Sequence, residues 1–205
     1  MSPPAAVIFD LGGVLIDWNP RYLYRGLFGG DDAAMERFLA EVCTADWNAR
    51  LDAGLPWDEA IASLSLAHPT QRDMIVAFRD RWTEMLGGAY EATVDILADL
   101  RAAGIPLYAL TNWSAETFPL ARPRFPFLDW FEGIVVSGAE GIRKPDPRIF
   151  HLLLERYGLR AESTAFVDDV EENVEVAAAL GMATVRFRDA PGLRQDLSRL
   201  GLPID

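Results

Sequence analysis

Three aspartates, a threonine and a lysine stand at points of this 205-residue chain where they could handle a phosphoryl group together. Asp10 ends the apolar run AAVIFD, Thr111 ends IPLYALT, the pair Asp168 and Asp169 ends TAFVDD, and Lys144 lies in RKPDP, just ahead of a helix start. A carboxylate can attack phosphorus and form an aspartyl phosphate, which splits one difficult displacement into two easier ones. The rest of such catalysis is positioning and charge neutralisation at the peripheral oxygens. On this reading Asp10 is the nucleophile, Thr111 and Asn112 donate hydrogen bonds to the phosphoryl group, and Lys144 offsets its charge. Asp168 and Asp169 hold a metal directly or through water, with Asn173 supporting them.

The metal follows from charge. Two carboxylates about 4 Å apart repel by roughly 4 kcal/mol at an effective dielectric of 20. Three of them against one lysine leave two negative charges in excess, which one divalent cation cancels. Oxygen donors with retained waters suit Mg2+. The chain has only two histidines, His68 and His151, and one cysteine, Cys43, so a zinc site is disfavoured and neither histidine is given a catalytic role.

For these residues to meet, the elements that carry them must be strands of one parallel sheet. Apolar runs at 5–9, 105–112, 133–138, 164–169 and 183–187 read as buried strands, separated for the most part by helical patterns. Strands alternating with helices predict an α/β fold, a Rossmann-like core of about five parallel strands. Open sheets of this kind bind ligands beyond the carboxyl ends of their strands. Helical spacing in YEATVDILADLRAAG predicts a helix stopped by Gly104, and Asp146, Pro147 and Gly158 mark the cap, first turn and end of another. Residues 18–88 break the alternation. DDAAMERFLAEVCTADW, LPWDEAIASLSLA and QRDMIVAFRDRWTEMLGG each read as a helix, so 18–88 is expected to be an all-helical cap inserted after the first strand, with 1–17 and 89–205 forming the core. RPRFPF at 122–127 reads as a loop.

A formal charge of −12 argues against nucleic acid or an anionic membrane surface as partner. The single Cys43 forms no internal disulfide, MSPPAAVIFD lacks the features of an export signal, and no apolar stretch approaches a membrane span. A cytoplasmic protein, monomer or homodimer, acting on a small phosphorylated metabolite is the expectation.

The motifs FDLGGV (9–14), LTNWS (110–114), RKPDPRIF (143–150) and FVDDVEENVEVAAALGM (166–182), in this order and spacing, resemble those of the haloacid dehalogenase (HAD) superfamily. The resemblance implies a Rossmann-like core with a helical cap, Asp10 as nucleophile, and magnesium bound by Asp10, the Gly12 carbonyl and Asp169, its waters ordered by Asp168 and Asn173. Thr111 and Lys144 match the phosphate-binding positions. The phosphatases of that family usually carry a second aspartate as general acid two residues after the nucleophile, where this chain has Gly12. In this respect it is similar to a subgroup that includes glucose 1-phosphate phosphatases, so sugar phosphates are candidate substrates. Asp17 or a cap residue is left as proton donor, although Asp17 reads equally well as a hinge or helix-start residue. Trp18, Arg21, Tyr22, Tyr24 and Arg25 are candidates to face the substrate, and Trp113 to line the pocket. Trp47, Trp57 and Trp82 at helical positions read as core packing. Two other activities compete: a 2-haloacid dehalogenase using the same aspartate on carbon, and a non-catalytic switch phosphorylated on Asp10.

Overall fold

The computed structural model describes residues 3–204. Seven strands and eleven helices follow one another in the order β1 (Ala6–Phe9), β2 (Ile16–Trp18), α1 (Arg21–Leu27), α2 (Asp32–Glu41), α3 (Ala45–Asp52), α4 (Trp57–Ala67), α5 (Arg72–Asp80), β3 (Leu86–Ala89), α6 (Glu91–Ala102), β4 (Leu107–Thr111), α7 (Phe118–Ala121), β5 (Gly133–Val136), α8 (Ser137–Glu140), α9 (Pro147–Tyr157), β6 (Thr164–Asp168), α10 (Glu171–Ala179), β7 (Ala183–Arg186) and α11 (Ala190–Arg199). Five strands form one parallel sheet in the order β5-β4-β1-β6-β7. The fold is α/β, as the alternation predicts.

The central strand β1 has β4 on one side and β6 on the other. The chain therefore turns one way after β1 and the other way at β6, which makes the end of β1 the switch point where such sheets leave a crevice. Phe9 lies level with Ala109 of β4 and Val167 of β6, and the Asp10 N–H continues the ladder by donating to the Val167 carbonyl at 2.8 Å. Asp10, Thr111 and Asp168 thus finish three adjacent strands.

Side-chain alternation divides the sheet into two apolar faces. Ala6 and Ile8 pack with Phe166 and with Ile149, Phe150 and Leu153 of α9. Val7 and Phe9 pack on the opposite face, in a cluster that runs into the insert through Trp47, Trp57 and Phe78.

The insert departs from the sequence expectation in three places. DDAAMERFLAEVCTADW is two helices, because Thr44 interrupts the run and caps α3 by accepting the Trp47 N–H at 3.0 Å. QRDMIVAFRDRWTEMLGG ends its α-helix at Asp80, passes through a 3-10 turn at Trp82–Met85 and leaves as β3. That strand pairs antiparallel with β2, Asp17 opposite Gly88, so the insert is not wholly helical and joins the sheet through a two-stranded ribbon. The 122–127 stretch contains 3-10 turns at Arg122–Arg124 and Pro126–Trp130, which tolerate proline in the first turn. Among the described residues no helix is long and apolar enough to cross a membrane.

Candidate active site

Asp10 and Asp168 continue the strand faces of Ile8 and Phe166, toward α9, and the segment leading into α9 carries Lys144. Its ammonium lies 3.0 Å from Asp10 Oδ1 and 2.6 Å from Asp168 Oδ2, fully buried, with the Phe166 ring centroid 5.7 Å away. Asn112 fixes the lysine from below: its Oδ1 accepts the Lys144 N–H at 2.8 Å and its Nδ2 donates to the Lys144 carbonyl at 3.0 Å. The amide expected to contact substrate is thus engaged in holding the lysine backbone.

Asp168 is similarly saturated. Besides Lys144, it accepts from Asn173 Nδ2 at 3.0 Å on both oxygens and from the Val170 N–H at 2.8 Å. Asp169 is the more open of the pair and packs against Gly13, whose φ of +76° is a left-handed conformation. A Cβ on Gly13 would fall 2.6 Å from Asp169 Oδ2, so the second glycine of LGGV admits this carboxylate. Gly12 differs: nothing lies within 4 Å of where its Cβ would be.

Oxygens of Asp10, Asp168 and Asp169 lie within 4.8 Å of one another. Burial raises the Asp10 carboxyl to about 7; Lys144 pulls it down, while Asp168 and Asp169 push it up. Burial also raises Asp169, with Asp168 adding to it. For Lys144 burial works against the charge, but Asp10 and Asp168 outweigh it and hold the ammonium above its ordinary range. Three carboxylates around one buried cation, with hard oxygen donors alone, are a donor set that fits Mg2+. Thr111 is buried at the end of β4.

Beside this cluster lies a residue that sequence reasoning missed. Asp52, at the end of α3, lines the same cavity as Gly12 and receives hydrogen bonds from Asn48 Nδ2 at 3.0 Å and from the Ser114 backbone N–H. Burial raises its carboxyl to about 7, against the pull of Arg143 and with a small push from Asp10. Asp17, in β2, accepts the Tyr22 hydroxyl at 2.5 Å. Among the other residues expected to face substrate, Trp18 lines the cavity, whereas Arg21 pairs with Glu36, Arg25 pairs with Asp32, and Tyr24 is buried with its hydroxyl on the Met74 carbonyl. Trp113 lines the cavity too. Trp47, Trp57 and Trp82 are core packing as expected, Trp47 edge-on to Phe78 at 5.1 Å, and Trp57 and Trp82 also form cavity wall.

A parallel α/β sheet with a helical insert and carboxylates gathered at its switch point defines a hydrolase class, and the comparisons with known proteins agree. The model of the haloacid dehalogenase-like hydrolases matches residues 4–181, and the chain belongs to that family. It is 30% identical to a sesquiterpene phosphatase of Aspergillus oryzae over 95% of both chains. It is also 30% identical to mouse acyl-CoA dehydrogenase family member 10, over 97% of this chain and 19% of that much longer one. A HAD family enzyme from Bacteroides thetaiotaomicron, solved with magnesium and inorganic phosphate, shares the fold with a TM-score of 0.68 and 24% identity, over 89% of this chain and 93% of that one. The protein is a HAD-like hydrolase with phosphatase relatives.

Proposed function

We propose that the protein is a magnesium-dependent phosphatase of small phosphorylated metabolites, working through an aspartyl phosphate on Asp10. The observation that carries this reading is the buried Lys144 bridging Asp10 and Asp168 at 3.0 and 2.6 Å at the ends of adjacent strands. One cation beside Asp10, within a cluster that is otherwise anionic, supports a nucleophilic role for that carboxylate.

Asp10 attacks phosphorus, the ester P–O bond breaks, and the departing alkoxide takes a proton from Asp52. Water then attacks the aspartyl phosphate and gives a proton back to Asp52, releasing inorganic phosphate and free Asp10. Asp52 takes the place of the acid missing at Gly12, since a carboxyl poised near neutrality can both give and take a proton. Thr111 binds a phosphoryl oxygen, Lys144 neutralises the group, and Asn112 is a positioning residue acting through Lys144. Asp10, the Gly12 carbonyl and Asp169 would hold the magnesium, Asp168 and Asn173 ordering its surroundings; when bound it screens the repulsion between carboxylate and phosphoryl group. Residues 18–88 serve as a cap that keeps bulk water from the site, and 1–17 with 89–205 as the catalytic core.

The test is phosphate release from p-nitrophenyl phosphate and a panel of metabolite phosphates with and without Mg2+. Turnover is expected with the metal, and none in Asp10→Asn with its fold intact. Halide release from 2-haloacids without metal, in place of phosphate release, would replace this reading by the dehalogenase one.

A further inference from the structure

The segments that follow β1 and β4 enclose, with the insert, a cavity of about 180 Å³. Resting on the phosphatase reading above, we infer that this cavity receives the alcohol part of the substrate. It selects a phosphate monoester of a small apolar alcohol, carrying one aromatic ring or a branched chain of equal bulk, over a sugar phosphate.

Position comes first. Gly12 and Asn112 line the cavity, two residues beyond Asp10 and one beyond Thr111, so a group held there extends from a phosphorus at the strand ends. The wall is built largely of indole: Trp18, Trp57, Trp82 and Trp113 all line it, with Trp82 and Trp113 5.5 Å apart between ring centroids.

Several polar groups of the wall are engaged with one another. Trp57 Nε1 donates to Ser114 Oγ at 2.8 Å, Trp113 Nε1 to Thr117 Oγ1 at 3.2 Å, and Asn48 Nδ2 to Asp52 at 3.0 Å. The Asn112 amide is held by Lys144. A sugar brought here would bury several hydroxyls against indole faces, which give them no acceptor, and each unpaired hydroxyl is costly. An apolar group has no such loss and gains the burial of its surface. Size sets the upper limit, since an apolar cavity of about 150 Å³ accommodates a benzene ring.

Two measurements test this. The first compares kcat/KM for benzyl phosphate and glucose 1-phosphate with Mg2+ in the full chain. The benzyl ester is expected to be preferred by about tenfold or more, the scale of burying one ring. Trp82→Ala loses most of that preference, and Trp82→Phe, which keeps a ring, retains most of it. The second follows benzyl alcohol alone by tryptophan fluorescence: saturable binding, competitive with the ester, is expected in the wild type. Equal or better turnover of glucose 1-phosphate, or no binding of benzyl alcohol to the folded protein, overturns the inference. Benzyl alcohol binding without phosphate release from any ester supports the cavity assignment and overturns the phosphatase reading instead.

Discussion

Asp52 is neutral or charged according to what surrounds it, and two consequences can be measured. As proton donor it matters most for esters with poor leaving groups: Asp52→Asn is expected to slow alkyl phosphates by about 10²- to 10⁴-fold and acyl or p-nitrophenyl phosphates far less. Equal losses on all esters would assign it a binding role. Its carboxyl is raised by burial from 3.8 to about 7, so its contribution to stability is fully present below pH 3.8 and is lost as the pH rises through 7. Asparagine carries no such titration. Thermal melts should therefore show wild type losing stability relative to Asp52→Asn as the pH rises from 4 to 8. Gly13 gives a second case: Gly13→Ala puts a methyl on a left-handed backbone and against the Asp169 carboxylate, and about 1–3 kcal/mol of stability and much of the magnesium affinity should go with it. Melts with and without Mg2+ read both. Asp10, Lys144, Asp168 and Asp169 were legible in the sequence because each adjoins a strand end or a helix cap, where topology alone brings residues together. Asp52 was not: it looks like any charged residue near a helix end, and its surroundings, the Ser114 N–H and Ser137 among them, come from distant parts of the chain. Trp57 and Trp82 were legible as core packing but not as cavity wall, because helical spacing is the same for a ring that fills a core and one that also walls a cavity.

Among the elements, α4 shows how the insert is held to the sheet. Its N-terminal residue Pro56 offers no side-chain cap, and the Trp57 N–H is satisfied instead by Glu116 Oε1 at 3.0 Å, from the segment after β4. A carboxylate there also complements the helix dipole. Trp57 Nε1 on Ser114 Oγ and Ser137 Oγ on the Asp52 carbonyl tie the same two bodies together. Glu116→Ala should cost about 1 kcal/mol, the ordinary worth of a cap, and raise KM more than it lowers kcat by loosening the insert. Denaturant melts and steady-state kinetics check the two parts. The parallel strands were legible as apolar runs, and the cap Asp146 as an aspartate ahead of a helix, now seen accepting the Arg148 N–H at 2.9 Å. The ribbon was not, because β3 is Leu-Gly-Gly-Ala, without a β-branched or aromatic residue to announce a strand, and its pairing with β2 is set about 70 residues away in sequence.

At the scale of the whole molecule, one apolar cluster spans the boundary between insert and sheet: Val7 and Phe9 of β1 belong to the same cluster as Trp57 and Phe78. The two parts are therefore expected to unfold together, with tryptophan fluorescence and far-ultraviolet circular dichroism giving coincident transitions. Separate midpoints would show that the cluster does not couple them. The ribbon of β2 and β3 adds a mechanical constraint. Because the chain enters and leaves the insert on two hydrogen-bonded strands lying side by side, the two connections are held in one register, and bending at that joint would disturb fewer bonds than twisting across it. After any opening, an insert joined in this way would bring its tryptophans back to the same alignment over Gly12, much as a door on a strap hinge meets its frame at the same place.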